Sequence, residues 1–355
     1  MAINKLNEKE KAIVIVSRTA AIIAVFFIVI AGILISIFLI PFDNHSNKST
    51  GNIGTSSPVV VIEKAKEISK SNEWQAPDEN TIPAGKTGEQ IRYGKDLIAH
   101  TAAYFGPNGK VATISNGMNC QNCHLDAGTK PWGNNYSAVY STYPKFRLRS
   151  GTKETIVKRI NDCFERSLNG KAIDSTGTEM KAMIAYIKWL GTGVEKGKTP
   201  VGAGLEKLPF LTRSADPKKG AVIFSNKCES CHGNTGEGLL NAKKTGYIYP
   251  PLWGKNSYND GAGLFRLSGF AGYVKNNMPL GATKENPQLS DEESWDLAAF
   301  VNSQTRPHKD QREDWKEFDK KPFDFPFGPY ADKFSEAQHK FGPFEPIVSA
   351  NKAQI

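Results

Sequence analysis

Uncharged, mostly apolar positions run from Thr19 to Ile40 (TAAIIAVFFIVIAGILISIFLI), 22 residues in all. At about 1.5 Å per residue such a helix covers a bilayer core of roughly 30 Å, so residues 19–41 are expected to form a transmembrane anchor. A cleaved signal peptide has a shorter apolar region of about 7–15 residues and a small-residue cleavage site, neither of which is clear here. Lys5, Lys9, Lys11 and Arg18 precede the span and Asp43 follows it, which places residues 1–18 in the cytoplasm and the rest outside. Residues 42–58 are polar and rich in Gly, Ser and Asn, a flexible linker without periodicity, and residues 59–87 form an N-terminal extension.

Beyond it the pattern turns helical. The amphipathic stretch GEQIRYGKDLIAHTAAYF opens a first domain at 88–193, and AMIAYI around Tyr186 closes it. Between them, Thr155 to Gly170 reads as a short helix with Gly170 as its stop signal. A Gly/Pro-rich connector at 194–214 leads to a second domain at 215–304. There Leu289-Ser290-Asp291-Glu292-Glu293 is a helix-start signal, and Leu297, Ala298, Phe300 and Val301 form the apolar stripe behind it. The tail, 305–355, contains PFDFPFGPYADKF. It is too apolar for a free linker and is expected to wrap across the domains. The fold expected is mainly α, with two helical domains in tandem after the N-terminal span.

Composition changes this picture little. The 355 residues have room for about two domains, and 39% hydrophobic with 23% charged residues describes an ordinary globular chain. The net charge of +9 fits anionic membranes, nucleic acid or small anions alike. No nucleic-acid-binding signature accompanies it, so no nucleic acid partner is expected.

The cysteines carry the chemistry. Four of the five occur as Cys120-Gln-Asn-Cys123-His124 and Cys228-Glu-Ser-Cys231-His232, the pattern for covalent attachment of two haem c groups. Paired thiols at this spacing form thioethers to the haem vinyl groups, and His124 and His232 supply the proximal imidazoles. A zinc site or two redox dithiols would leave the directly following His as a coincidence twice over. A sixth ligand is expected tens of residues downstream, and Met278, 46 residues after His232, supplies it for the second domain. His100 is read as a packing or surface residue.

Laying the halves on each other as an internal repeat pairs His124 with His232 and Tyr186 with Phe300. Met278 lies 22 residues before Phe300, and Cys163 lies 23 residues before Tyr186. The odd cysteine thus occupies the distal-ligand position of the first domain. A structural role for Cys163, or ligation by Met180 or Met183, are the competing readings. Arg159, Cys163 and Ser167 are spaced i, i+4, i+8 and share one helix face, with Arg166 close to it. Lys145, Arg147 and Arg149 add positive charge upstream. Arginine suits bidentate recognition of oxyanions, so the expected substrate is a small anion with sulfonate-like or carboxylate-like oxygens.

From Trp74 onward the chain resembles the thiosulfate dehydrogenase family. The resemblance is carried by YFGPNGKV (Tyr104 to Val111), SNGMNCQNCHLDAGT (Ser115 to Thr129), FRLRSG (Phe146 to Gly151), RINDCFERSLNG (Arg159 to Gly170), NNMPLG (Asn276 to Gly281), and PFGPYAD and QHKFGPF near the end. It implies a dihaem cytochrome that couples two thiosulfates to tetrathionate, and in reverse reduces tetrathionate. Cys163 would be the distal ligand of the active-site haem, with Arg149, Arg159 and Ser167 around the substrate. The haem of His232 and Met278 would relay electrons to a cytochrome c or a membrane oxidase. Some members carry Lys immediately before the Met, where this chain has Asn277, so no Lys/Met ligand exchange is expected. The apolar span and its flanking charges imply a location in the bacterial cytoplasmic membrane, single-pass, with the haem domains on the periplasmic side. The rival reading is a non-catalytic, membrane-anchored dihaem electron carrier. It leaves a cysteine at the distal position flanked by arginines unexplained.

Overall fold

The computed structural model describes residues 73–352. The expected anchor at 19–41, the segment before it and the linker at 42–58 lie outside these residues. Among the described residues no helix is long and apolar enough to cross a membrane.

The architecture is mainly helical, with two cores built in the same way. In the first, α1 (Gly85–Ala99), α2 (Ile156–Arg166) and α3 (Thr178–Leu190) pack around Leu97, Ile98, Phe164, Met180, Tyr186 and Leu190. In the second, α4 (Pro217–Lys227), α5 (Leu267–Asn277) and α6 (Asp291–Ser303) surround Phe224, Phe270, Trp295 and Leu297.

The crossing of first and last helix is the same in both halves and depends on glycine. A Cβ at Gly94 would lie 2.0 Å from the Ala182 carbonyl oxygen and 2.9 Å from Tyr186 Cβ. At Gly220 it would lie 2.0 Å from the Asp296 oxygen and 2.7 Å from Phe300 Cβ. Tyr186 and Phe300 are thus equivalent in space, as in the repeat.

In the second half, capping side chains set the helix starts. Asp216 accepts from Lys218 N at 2.8 Å, with Pro217 in the first turn. Ser290 and Glu293 form a reciprocal capping box, and the acidic residues 291–293 face the positive end of the α6 dipole. Two small antiparallel hairpins were not anticipated from the sequence. β1 (Lys145–Arg147) pairs with β2 (Thr152–Glu154), with Lys145 opposite Glu154. β3 (Leu239–Leu240) pairs with β4 (Tyr247–Tyr249).

The halves are joined by polar contacts. Asn116 Nδ2 donates to the Ser257 carbonyl at 3.1 Å, Tyr273 OH to the Asn122 carbonyl at 2.9 Å, and Asn277 Nδ2 to the Trp132 carbonyl at 3.0 Å. The tail touches both. Asp314 accepts two bonds from Arg166 of α2, and Trp315 N donates to the Arg149 carbonyl at 2.7 Å. Further on, Phe344 and Ile347 are buried in the second core, Phe344 against Phe210 and Trp295.

Candidate functional site

Each Cys-x-x-Cys-His motif sits on a tight helical turn, and each histidine is oriented by a backbone carbonyl. His124 Nδ1 donates to the Asn134 carbonyl. Asn134 holds a left-handed backbone, φ 59°, a conformation that asparagine tolerates, and its own N–H bonds the Gly204 carbonyl of the connector. His232 Nδ1 donates to the Pro250 carbonyl at 2.8 Å. A carbonyl can only accept, so in both rings the proton is on Nδ1 and Nε2 keeps its lone pair, the tautomer a metal requires. Burial drives the His124 pKa down to about 4, with the Asn134 carbonyl opposing the shift and the Arg159 charge adding to it. Burial likewise lowers His232.

Two cavities open beside these motifs. The first, about 290 Å³, is lined by Cys120, Cys123 and His124 together with Cys163. The second, about 400 Å³, is lined by Cys228, Cys231 and His232 together with Met278. Burial pushes Cys120 and Cys123 up to about 12 and Cys228 to about 11. Among the described residues no three His, Cys, Asp or Glu side chains converge on a metal position. Two thiols for thioether attachment, an imidazole with a free Nε2 and a further sulfur around a largely apolar space are the groups that haem c requires, and both cavities fit it.

The first cavity differs in its charge. Arg159, Cys163 and Ser167 all line it, as their spacing on α2 predicts, with Ser167 at the helix C-cap. The Arg159 pKa is raised chiefly by the sulfur of Cys163, against the opposing effect of burial. Met183 also lines this cavity, whereas Met180 is fully buried in the core and does not. His100 is exposed, 3.8 Å from Asp96.

Two arginines are placed elsewhere. Arg149 is not on the cavity wall: its guanidinium pairs with Asp162 at 2.8 Å, and Lys158 engages the other carboxylate oxygen. Arg166 does not join the Arg159 face either, because Asp314 of the tail holds it in a two-point pair at 2.7 and 2.8 Å. In their place stand Lys145 and Arg147 of β1, both on the wall. The alternation Lys-Phe-Arg-Leu at 145–148 carried the signal for this, since a strand puts residues two apart on one face. Phe146 and Leu148 face solvent, 57% and 49% exposed.

Met118, Asn119 and Cys123 line both cavities. The two sites therefore share a wall, a short path between them.

Comparison with known proteins agrees with this geometry. Residues 110–195 match the family model described as SoxA/TsdA, cytochrome c domain, and residues 217–305 match that described as Cytochrome c. A thiosulfate dehydrogenase of Psychrobacter arcticus is 39% identical over 67% of this chain and 70% of its own length. One of Stutzerimonas stutzeri is 34% identical over 70% of this chain and 77% of its own. A solved thiosulfate dehydrogenase (TsdBA) of Marichromatium purpuratum superposes with a TM-score of 0.62 at 32% identity. That match covers 70% of this chain and 51% of the solved one, so the chain spans about half its length. The tandem cytochrome c domains and their motifs carry two covalently bound haem c groups. With these relatives and these two cavities, the chain belongs to the thiosulfate dehydrogenase family of oxidoreductases.

Proposed function

We propose that the protein couples two thiosulfates to tetrathionate in the first cavity, with Cys163 as both iron ligand and nucleophile and the second domain as electron relay. The observation that carries this reading is the meeting of Cys163, Arg159 and Ser167 on the wall of the cavity that also holds Cys120, Cys123 and His124. The ligands proposed are His124 and Cys163 in the first domain, His232 and Met278 in the second. Bound haem c supplies the electron acceptors, one electron per domain.

The protein groups do the rest. Thiosulfate is a dianion, and bringing two together meets like-charge repulsion that Arg159 offsets by electrostatic stabilisation. Arg159 makes no ion pair among the described residues, because Arg149 and Lys158 occupy the nearby Asp162. Arg149 thus contributes at one remove, by keeping Asp162 from neutralising Arg159. Ser167 adds a hydroxyl donor to the anion's oxygens. A bond forms between the Cys163 thiolate sulfur and the terminal sulfur of the first thiosulfate, releasing two electrons. The second thiosulfate then attacks the outer sulfur of that adduct, forms the central S–S bond of tetrathionate and returns Cys163 as thiolate. No proton is needed in either step. The reverse sequence reduces tetrathionate.

The wall shared through Met118, Asn119 and Cys123 supports relay from the first site to the second, and from there to a cytochrome c or a membrane oxidase. The residue pattern at 19–41 supports a single-pass anchor in the bacterial cytoplasmic membrane with the haem domains on the periplasmic side. Cys163→Ser tests the mechanism. Thiosulfate turnover should fall to background while the pyridine haemochrome still reports two haems per chain; near-normal turnover would sink the assignment.

A further inference from the structure

The β1–β2 hairpin holds a group that the coupling reaction does not use. Glu154, the last residue of β2, has a side chain only 1% exposed, and neither of its carboxylate oxygens has a hydrogen-bond partner. A buried carboxylate in that condition is strongly disfavoured unless nearby cations offset it. The cations are present. Lys145 is its cross-strand neighbour, Arg147 Nε lies 3.9 Å from Oε2 without a hydrogen bond, and Glu154 contributes to the raised pKa of Arg159. All three cations line the first cavity, whereas Glu154 is behind them.

We propose that Lys145 and Arg147 form a subsite for a dianionic sulfur oxyanion, and that Glu154 is the positioning counter-ion that limits their hold on it. This rests on the coupling reaction proposed above, in which two dianions must share one cavity: Arg159 and Ser167 take one and the hairpin takes the other. Coupling halves the anionic charge in the cavity. A carboxylate within ion-pair reach of Arg147 then competes with the remaining dianion for the guanidinium, which favours release of the product. Long, unsaturated ion pairing of this kind is what such competition needs, since a bidentate pair would keep Arg147 from the anion altogether.

Isothermal titration calorimetry of tetrathionate into the oxidised, haem-loaded full chain reads the subsite without turnover, because no reductant is present. Arg147→Gln should weaken binding about tenfold or more, the loss of one charge-assisted hydrogen bond. Glu154→Gln should tighten it several-fold. Lys153→Gln, on the opposite face of the same hairpin, should leave it unchanged. Native affinity in R147Q, weaker binding in E154Q, or no binding of tetrathionate by the native chain would each overturn the proposal. Arg147 is 33% exposed at its side chain, so R147Q carries the test even if E154Q folds poorly. Thiosulfate-dependent haem reduction in the native sample tests the coupling reaction separately. Reduction with an unchanged R147Q affinity rejects the subsite alone, and anion binding without reduction rejects the coupling reaction alone.

Discussion

Asp162 shows how single residues of α2 divide between chemistry and support. It is one position before Cys163, yet its carboxylate is buried and directed away from the cavity, onto Arg149 and Lys158. Burial alone would raise its pKa; the Lys158 hydrogen bond and the Arg149 and Arg166 charges outweigh that and hold it below the ordinary carboxylate value. A carboxylate depressed in the folded state adds stability above its unfolded pKa, 3.8, and loses it as pH falls through the lower folded value. Asp162→Asn should therefore lower the thermal midpoint at pH 6 and lower it by less at pH 3, below the unfolded value, measured by circular dichroism on the haem-loaded protein. An equal effect at both pH values would contradict this. The same residues mark where the sequence misled. Arg147 and Arg149 are two apart and would share a face if the strand continued. The strand ends at Arg147, and a turn sends Arg149 toward Asp162 while the distant Trp315 binds its carbonyl. No local pattern encodes that tail contact. Cys163 and Arg159 were legible because they sit on one helix, where spacing alone decides which face they share.

Helix starts and helix crossings were legible to different degrees. The cap at Ser290 is local, set by side chains within three residues of the bonds they close, and so the sequence shows it; the equally local cap at Asp216 came with the structure. The crossing of α4 on α6 is not local. Gly220 is an interior helix position whose hydrogen faces the Asp296 carbonyl, and only the packed pair explains a glycine there. Gly220→Ala would push a methyl group to 2.0 Å from backbone oxygen, so the helices must separate. Overpacking of this kind costs about 1–3 kcal/mol, which outweighs the helix-propensity gain of about 1 kcal/mol from replacing glycine. The expected result is a lower denaturation midpoint in guanidinium; a midpoint at or above that of the native chain would show that the crossing is looser than described. The alternation at 145–148 is a signal for β1, but strands of two or three residues are too short for such a pattern to be told from chance, and β3 and β4 carry none.

At the scale of the molecule, the tail ties the two haem domains together. Arg166 and Asp314 form a two-point pair with both side chains about 10% exposed, and Asn259 Nδ2 bridges from the second domain to the Glu165 carbonyl of α2 at 2.8 Å. Removing one partner of a buried pair strands the other, at about 3–5 kcal/mol. Asp314→Ala should lower the thermal midpoint and speed proteolytic cleavage after residue 305, while both haems remain attached; unchanged protease resistance would show that the aromatic contacts hold the tail without the ion pair. The aromatic richness of the tail made its packing legible, but polar anchors such as Asp314 on Arg166 of α2 and Trp315 N on the Arg149 carbonyl came only with the fold.

The proposed function requires the first cavity to be an oxidising site for thiosulfate. Anaerobic titration of the oxidised, haem-loaded chain with thiosulfate, followed by visible absorbance with tetrathionate measured at the end, addresses it directly. Thiosulfate alone should reduce the haems, with one tetrathionate formed for each pair of electrons taken up. An absorbance spectrum unmoved by thiosulfate, in protein whose haems dithionite still reduces, would make the protein an electron carrier and contradict the proposed function.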